Sequence, residues 1–422
     1  MMNKYFQLLF SVLLIVLLAA CNGETTSNVS KNDSGKKVET SQGVTDKEIL
    51  IGNSVPQSGP LAYADVVRKG MDTYFNYINK NGGVHGRQIK FISYDDQYLP
   101  AKAIQTAKRL IDEDKVFLVA GNMGTATNKA ALDTYAKKGI PVIMSATGAK
   151  EFVEPPIKNW IGLALINYEI EAKILLDYAV NELGAKKIAI SYQNDDFGKE
   201  PLNAIKDAIK DYPGTEIVQE VGFLPTDTEF SSHAKKLSEA NPDTLLNFGN
   251  MNQVVNLKKA MYDIGLEKIK FVASSNSGQD IRAFDLAGKD VWEGTYSTGY
   301  LQQITDTENE KVKLFLDEFK EQYPNESINT LSLSGWAIGQ VIVEALERTG
   351  GELTWDKLIE AMYTFDEWDG SLYTNITFTK NNHYGLSGMY ITQAQDGTID
   401  RISDQITFNP ETGKISMQNT KK

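Results

Sequence analysis

The sequence predicts an α/β fold with two lobes. From residue 48 onward, short runs rich in β-branched residues alternate with longer amphipathic stretches, a pattern typical of parallel sheets covered by helices. The 422 residues exceed what one hydrophobic core normally supports, so two lobes are expected. Two segments starting at Gly121 and Gly249 also resemble each other, each reading as strand, polar loop, helix, glycine and strand, although any two β-α-β units share that order.

The first half of the folded region contains four predicted strands and three predicted helices. β-Branched runs predict strands at 49–55, 88–96, 116–121 and 141–146, and apolar residues at helical spacing predict helices at 65–80, 100–114 and 127–138. In the first helix Val67, Met71 and Tyr74 share one stripe, and the glycines at 82 and 83 provide a stop.

The second half repeats this alternation and then adds helices and strands at the end. Helices are predicted at about 168–183, 197–211, 229–240, 252–264, 307–322, 332–348 and 354–363. Strands are predicted at 186–192, 216–223, 244–249 and 269–275, and LYTNITFT, GMYITQA and RISDQITF near the end of the chain are strand-like.

The first twenty residues are predicted to be a secretory signal. Lys4 is the one charge there, and an apolar run from 8 to 20 is followed by Cys21. That run is short for a membrane span, which needs about 20 apolar residues. LAAC at 18–21 resembles the lipobox of bacterial lipoproteins, in which the cysteine is lipidated. Residues 21–46 are polar and predict a disordered tether, with the folded body starting near Lys47.

Composition excludes several classes of protein. Cys21 is the only cysteine, so neither a disulfide nor a thiol nucleophile is expected. The formal charge is −12, and loss of Lys4 with the signal gives −13 (−12 − 1), which argues against nucleic acid as a partner. The three histidines are isolated, and metal or hydrolase motifs are absent from the sequence. We therefore expect no enzyme and no cofactor or metal, although a hydrolase site assembled from distant residues stays open.

The loop AGNMGTATNKAA, residues 120–131, predicts an anion site at the start of a helix. Gly124 allows another group to approach the backbone, and Thr125 or Thr127 is placed to cap the helix. Uncovered N–H groups and the helix dipole favour an anion there. The lysine of a phosphate-binding loop is missing, so a carboxylate fits better than a nucleotide phosphate. An ordinary strand-to-helix turn is the alternative.

Two further strand ends carry polar residues. SATGA at 145–149 offers hydroxyl groups for the same carboxylate. In QNDDFGKE at 193–200 the adjacent Asp195 and Asp196 favour helix capping over a metal site or paired acid catalysis. Phe197 is placed either to cover an apolar ligand or to act as a hydrophobic staple beneath the helix.

Several motifs together resemble the type I periplasmic binding proteins, specifically the leucine/isoleucine/valine-binding group of ABC transporters. They are the SGP turn at 58–60, the helix exit INKNGGVHGRQI, and the step YDDQYLPAKA, within a likeness that runs from about residue 48 to 369. The resemblance implies two Rossmann-like lobes joined by a three-crossover hinge that close on a ligand. It places lobe 1 at 47–166 plus about 296–370 and lobe 2 at 167–295 plus about 371–415.

The resemblance also implies the residues that contact the ligand. The carboxylate would meet Gly124, Thr125, Ser145, Ala146 and Thr147, and Tyr63 lies near an aromatic residue that the family uses at the cleft mouth. The full set of expected contacts is Tyr63, Gly124, Thr125, Ser145, Ala146, Thr147, Tyr168, Phe197, Asn250, Met251 and Asn276.

One position departs from the leucine-binding pattern. Those proteins pair the α-ammonium group with an acid after the strand matching IKFVASS, whereas this chain has Asn276 near that position. A buried ammonium group without a carboxylate is costly. Either Asp280 or Asp196 rotates in to replace the acid, or the ligand is a small carboxylate of another kind, such as an aromatic acid.

The resemblance therefore implies an extracytoplasmic lipoprotein, anchored to the cell membrane, that captures a small carboxylate and delivers it to the permease of an ABC importer. A monomer is expected. The alternatives are a ligand sensor that signals to a membrane receptor, whose lobes would look the same, and a hydrolase on the same frame.

Overall fold

The computed structural model describes residues 40–373, 375–409 and 412–416. The predicted signal, Cys21 and residues 22–39 of the predicted tether lie outside the described residues.

Residues 40–46, predicted as part of the tether, pack on the folded body instead. The Ser41 N–H donates to the Leu353 carbonyl at 3.0 Å, and the Leu50 N–H donates to the Gly43 carbonyl at 2.8 Å. A Cβ on Gly43 would lie 2.2 Å from the Phe117 nitrogen, so only glycine fits this close approach. The prediction that the folded body starts near Lys47 is wrong, because this largely polar segment pairs through its backbone and packs Val44 against the core.

The first lobe contains a five-stranded parallel sheet of order β2-β1-β3-β4-β5. In chain order its elements are β1 (Glu48–Val55), α1 (Val66–Lys80), β2 (Gln88–Asp95), α2 (Pro100–Lys108), β3 (Leu118–Ala120), α3 (Thr125–Lys138), β4 (Val142–Ser145) and β5 (Trp160–Leu163). β3 and β4 are buried on both faces, which agrees with their apolar sequences, whereas the edge strand β2 is only partly buried.

The second lobe contains a nine-stranded mixed sheet of main order β14-β13-β11-β10-β9-β8-β6-β7, with β12 paired to β11. Its elements up to the second crossover are α4 (Tyr168–Asn181), β6 (Lys187–Gln193), α5 (Asp196–Ala208), β7 (Glu216–Phe223), α6 (Ser231–Ala240), β8 (Thr244–Phe248), α7 (Met251–Asp263), β9 (Lys270–Ala273), α8 (Ser275–Gly278), α9 (Arg282–Ala287), α10 (Lys289–Trp292) and β10 (Tyr296–Gly299). β6 to β10 run parallel.

The chain then returns to the first lobe through α11 (Glu310–Gln322), α12 (Thr330–Arg348) and α13 (Trp355–Met362). It ends in the second sheet with β11 (Gly388–Gln395), β12 (Thr398–Arg401), β13 (Ile406–Phe408) and β14 (Ile415–Ser416). The chain thus passes between the lobes three times, after β5, after β10 and before β11. The predicted α/β fold with two lobes and three crossovers is confirmed.

Helices α1 and α12 touch backbone to backbone in the first lobe. A Cβ on Gly335 would lie 1.9 Å from the Val67 carbonyl oxygen, and one on Gly70 would lie 2.1 Å from the Ser332 carbonyl oxygen. The two glycines let these helices pack at a distance that no larger residue permits. The contact fixes the end of α12 that reaches the cleft.

Two boundaries of the predicted lobes are wrong. Residues 296–299 form β10, which pairs with β9 and β11 in the second sheet. The chain therefore crosses to the first lobe after residue 299 and not before residue 296. The segment 371–386 stays with the first lobe, where the carbonyls of His383 and Tyr384 accept from the N–H groups of Gly162 and Leu163 at 2.9 and 3.2 Å.

The predicted strand LYTNITFT is also wrong: its described residues Tyr373, Ile376 and Thr377 form only isolated bridges. These bridges reach different partners, Leu301, Trp368 and Gly385. The segment meets no single neighbouring strand over its length, so no ladder forms despite the β-branched sequence.

Candidate ligand-binding site

The strands of both sheets point their carboxyl ends at a cleft between the lobes, where ligands of open α/β sheets bind. The cleft encloses a cavity of about 60 Å³. Its lining residues are Leu61, Tyr63, Ala64, Val67, Tyr98, Met123, Gly124, Thr125, Ala146, Leu165, Tyr168, Phe197, Asn250, Asn276, Leu331 and Ser334. We call Phe197, Asn250 and Asn276 the second-lobe wall, and the other residues except Tyr168 the first-lobe wall.

The start of α3 forms one end of the cavity. Gly124, with φ of 96°, precedes the helix, and no side chain of the described residues caps it. The prediction that Thr125 or Thr127 caps α3 is wrong. The Thr127 hydroxyl donates to the carbonyls of Met123 and Gly124 at 2.5 and 3.1 Å, while the Thr125 hydroxyl lies 2.8 Å from that of Thr147. The first N–H groups of α3 thus lack a side-chain acceptor and favour an anion.

Gly124 also admits an aromatic ring that the sequence did not indicate. A Cβ at position 124 would lie 2.5 Å from the Tyr98 ring, so the ring can pack against the loop only because residue 124 is glycine. The Tyr98 hydroxyl lies 3.5 Å from Gln193 Nε2 of the second lobe. Burial raises the pKa of Tyr98 well above its usual range, so the phenol stays neutral and can donate a hydrogen bond.

Of the three ligand contacts predicted at the strand end 145–147, one residue lines the cavity and two lie behind it. Ala146 lines the cavity, whereas Ser145 and Thr147 do not. Thr147 is fully buried, holds the Thr125 hydroxyl, and accepts from the Ala149 N–H at 3.2 Å. The Ser145 hydroxyl is buried without a partner among the described residues. Thr147 therefore orients Thr125 rather than facing the cavity.

Two aromatic rings close one side of the cavity. Tyr168 at the start of α4 and Phe197 at the start of α5 have ring centroids 4.9 Å apart, and both are buried. Burial raises the pKa of Tyr168 to about 12, opposed by hydrogen bonding with Thr147, Gly148 and Thr125. Asp195 accepts from the N–H groups of Phe197 and Gly198 at 3.0 and 3.3 Å, so the predicted capping role of Asp195 is confirmed.

The lobes touch each other directly at the cleft. Tyr63 of the first lobe packs on the second-lobe core, and its hydroxyl accepts from the Met251 N–H at 3.2 Å. Met251 itself is buried in that core and does not line the cavity, so its backbone rather than its side chain faces the cleft. Asn252 Nδ2 donates to the Pro60 carbonyl at 3.3 Å. The structure is thus a closed form.

Asn250 is held by a chain of amides. Its Nδ2 donates to Gln193 Oε1 at 2.6 Å, and Gln193 Nε2 in turn donates to Asp195 Oδ2 at 2.5 Å. The second-lobe wall therefore offers neutral amide groups, and the orientation of Asn250 is fixed by its hydrogen bond to Gln193.

Asn276 stands at the start of the short helix α8 and lines the cavity. Its Nδ2 is buried and has no hydrogen-bond partner among the described residues. Glu171 supports this helix from α4: its Oε1 accepts from the Ser275 N–H at 2.7 Å and from the Thr298 hydroxyl. Burial raises the pKa of Glu171 above its usual range. No local pattern in the sequence indicated Glu171.

Neither acid that was expected to replace the missing carboxylate lines the cavity. Asp280 is buried and paired with Arg282, whose NH2 group lies 2.5 Å from Oδ2 and whose Nε contacts both oxygens at 3.1 Å. Asp196 lies at the rim, 45% exposed, and is 3.4 Å from Lys129 Nζ of the first lobe. Both carboxylates already have cationic partners.

The remaining lining residues were missed by sequence reasoning. Leu61, Ala64 and Val67 sit in and after the SGP turn and could have been found from its resemblance. Leu331 and Ser334 come from α12, far along the chain, and reach the cavity only because α12 packs against α1. No local signal marks such residues.

Together, the fold and the closed cleft define a two-lobed protein with a small cavity between its lobes. A sequence model described as periplasmic binding protein matches residues 48–398. The chain belongs to this family, in the type I group that includes the Leu/Ile/Val-binding proteins.

Relatives show how broad this group is. The leucine-, isoleucine-, valine-, threonine- and alanine-binding protein of Pseudomonas aeruginosa is 26% identical over 331 residues, covering 77% of this chain and 85% of that protein. A branched-chain amino acid ABC transporter protein from Thermus thermophilus with bound valine has a TM-score of 0.79 at 20% identity, covering 86% of this chain and 97% of the other. A fatty acid ABC transporter substrate-binding protein from Thermomonospora curvata has the same TM-score and identity, covering 89% and 96%.

The family works outside the cytoplasm as the binding component of transporters and not as enzymes. In the part of the chain that the structure describes, no helix combines the length and apolar character needed to cross a membrane.

Proposed function

We propose that this chain is the extracytoplasmic substrate-binding lipoprotein of an ABC importer. It captures a branched-chain amino acid or a related small carboxylate, aromatic acids included, between its lobes and delivers it to the permease. The observation that carries this proposal is the closed cavity at the uncapped start of α3, lined by Thr125 and Tyr168 and covered by Phe197 from the other lobe.

The chemistry of the ligand follows from two sets of groups in the cavity, the donors at the start of α3 and the apolar side chains of the first-lobe wall. The N–H groups of α3, the Thr125 hydroxyl and the neutral Tyr168 phenol are donors that suit a carboxylate. The apolar side chains of the first-lobe wall, such as Leu61, Val67 and Leu331, suit a hydrocarbon body. A small acid with a branched or aromatic body suits both the donors and the apolar side chains.

Closure couples binding to delivery. Contacts between the lobes, such as Tyr63 with Met251, form only when the cleft is closed. A ligand that bridges the two walls binds the closed form better than the open form and so shifts the population toward it. A closed, loaded protein is the form that a permease has to distinguish from an empty one.

Binding is tested by melting the full chain, stripped of ligand by unfolding and refolding, with leucine, valine, benzoate and other small acids. A true ligand at 100 times its dissociation constant adds about 2.7 kcal/mol to stability. A panel of small carboxylates that leaves the melt unchanged would contradict the proposal.

Transport and anchoring are tested in the source cell. Deleting the gene should abolish uptake of the ligand found in the melting screen; intact uptake with lost signalling would indicate a sensor instead. Cys21→Ser should release the protein from the membrane while leaving ligand affinity unchanged, and a variant that stays membrane-bound would mean that the signal is retained as an anchor.

A further inference from the structure

The cavity between the lobes contains no group that could neutralise a positive charge. Among the described residues that line it, none is acidic or basic. The polar lining groups are the phenols of Tyr63, Tyr98 and Tyr168, the hydroxyls of Thr125 and Ser334, and the amides of Asn250 and Asn276. A cation enclosed there would lose its hydration without a counter-charge, which costs far more than a neutral group would.

The nearby acids do not supply this counter-charge. Asp280 is engaged on both oxygens by Arg282, and Asp196 is held at the rim by Lys129. Glu171 lies behind α8, where it accepts from the Ser275 N–H and the Thr298 hydroxyl. Moving Asp280 into the cavity would leave Arg282 without its partner in a largely buried position.

Asn276 offers the cavity a hydrogen-bond donor rather than a negative charge. Its buried Nδ2 is a donor without a partner among residues 40–373, 375–409 and 412–416. An unpaired buried donor is unfavourable and is satisfied by an acceptor on the ligand. An ammonium group, which can only donate, cannot serve as that acceptor.

We propose that the ligand is a small monocarboxylate without an ammonium group, whose carboxylate lies at the start of α3 and whose uncharged oxygen acceptor, an oxo or hydroxyl group, faces Asn276. This inference rests on the proposed function, since it presumes that the cavity holds a small carboxylate. It names 2-oxo and 2-hydroxy acids with a branched or aromatic body as the ligand class, and Asn276 as the residue that selects them.

The experiment compares matched pairs that differ at one carbon. The full chain, stripped of ligand, is titrated calorimetrically with leucine and 4-methyl-2-oxopentanoate, and with phenylalanine and phenylpyruvate. At least one oxo acid should bind about 100-fold tighter than its amino acid, since a site built for one polar group strongly rejects a mismatched one. An amino acid that binds as tightly as its oxo acid overturns the inference but leaves the proposed function standing.

Two variants test which residue determines the preference between an oxo acid and its amino acid. Asn276→Asp should shift the preference toward the amino acid at least about tenfold, because it adds the missing counter-charge. Asp280→Asn should leave the preference of the wild type unchanged; if it abolishes binding of an amino acid that the wild type binds, Asp280 is the counter-charge and the inference fails. If no member of either pair, and no other small carboxylate, binds the wild type, the proposed function fails together with the inference.

Discussion

The first-lobe wall of the cavity is largely apolar and comes from segments far apart in the chain, whereas the second-lobe wall consists of one aromatic ring and two amides at strand ends. Leu61, Val67 and Leu331 of the first-lobe wall stay in place because α1 and α12 pack in backbone contact. Asn250 is held by a hydrogen bond to Gln193 at the end of β6, and Glu171 accepts from the N–H of Ser275, the residue before Asn276. We therefore expect packing to shape the space for the ligand body, and the polar groups to select its substituents.

The largest expected effect is on the packing that holds the first-lobe wall. Gly335→Ala places a Cβ 1.9 Å from the Val67 carbonyl oxygen and should lower the free energy of unfolding by about 3 kcal/mol, measured by urea denaturation. Gly339→Ala, in the same helix, is the matched control, because its Cβ meets only the Tyr74 side chain at 3.0 Å. Equal effects at the two glycines would mean that the backbone contact does not support this wall.

Next in size is the loss of a donor at the carboxylate end. Thr125→Ala should weaken binding of the ligand by about 1.5–3 kcal/mol, as expected for a hydrogen bond to a charged group. Thr125→Ser keeps the hydroxyl and should bind nearly as the wild type does. Calorimetric titration measures both variants. Asn250→Ala, on the second-lobe wall, should cost about 1 kcal/mol because its hydrogen bond is to a neutral group; a larger loss there than at Thr125 would place the carboxylate at the other wall.

A smaller effect concerns pH at the contact between the lobes. Burial raises the pKa of Glu200 to about 7. The Lys150 N–H, which donates to Glu200 Oε1 at 3.2 Å across the cleft, opposes this shift. Since the folded pKa exceeds the ordinary value of 4.5, the stability from Glu200 is fully present below about pH 4.5 and is lost as the pH rises through 7.

Glu200→Gln should remove this part of the pH dependence. Between pH 5 and pH 8 the wild type should lose about 1 kcal/mol more stability than the variant, a value reduced by the partial exposure of the carboxyl group. Asp96, whose pKa burial raises to about 6, contributes equally to both proteins and cancels in the difference. Parallel stability curves for the two proteins would show that Glu200 is not buried by closure.

The smallest effect is expected at the rim. Lys129 is 48% exposed and lies 3.3 Å from Glu151 of its own lobe and 3.4 Å from Asp196 of the other. Lys129→Met should change ligand affinity by less than about 0.5 kcal/mol, because exposed ion pairs are screened by water and salt. Titration at low and high salt checks this. A large loss at low salt would mean that rim charges, rather than the two walls, hold the closed form.

Sequence reasoning succeeded where the signal is local. Alternating strands and helices, the glycine-rich start of α3 and the capping role of Asp195 all follow from periodicity and the chemistry of neighbouring residues. The cap of α3 was mispredicted because the Thr125 hydroxyl bonds with Thr147, which follows a different strand. A tertiary contact of that kind leaves no trace in the local sequence.

The rest depends on contacts between distant segments. Leu331 and Ser334 reach the cavity through the packing of α12 on α1. The strand-like sequence at Tyr373 and Ile376 lacks a ladder because its neighbours belong to different parts of the fold. The ends of the lobes were misplaced for the same reason.

The most direct test of the central claim is a crystal structure of the chain with the ligand that it binds most tightly. We predict that the ligand carboxylate lies within hydrogen-bonding distance of the first N–H groups of α3 and the Thr125 hydroxyl, and that an uncharged oxygen faces Asn276. A carboxylate bound at the second-lobe wall, or a ligand bound outside the cavity, would contradict it.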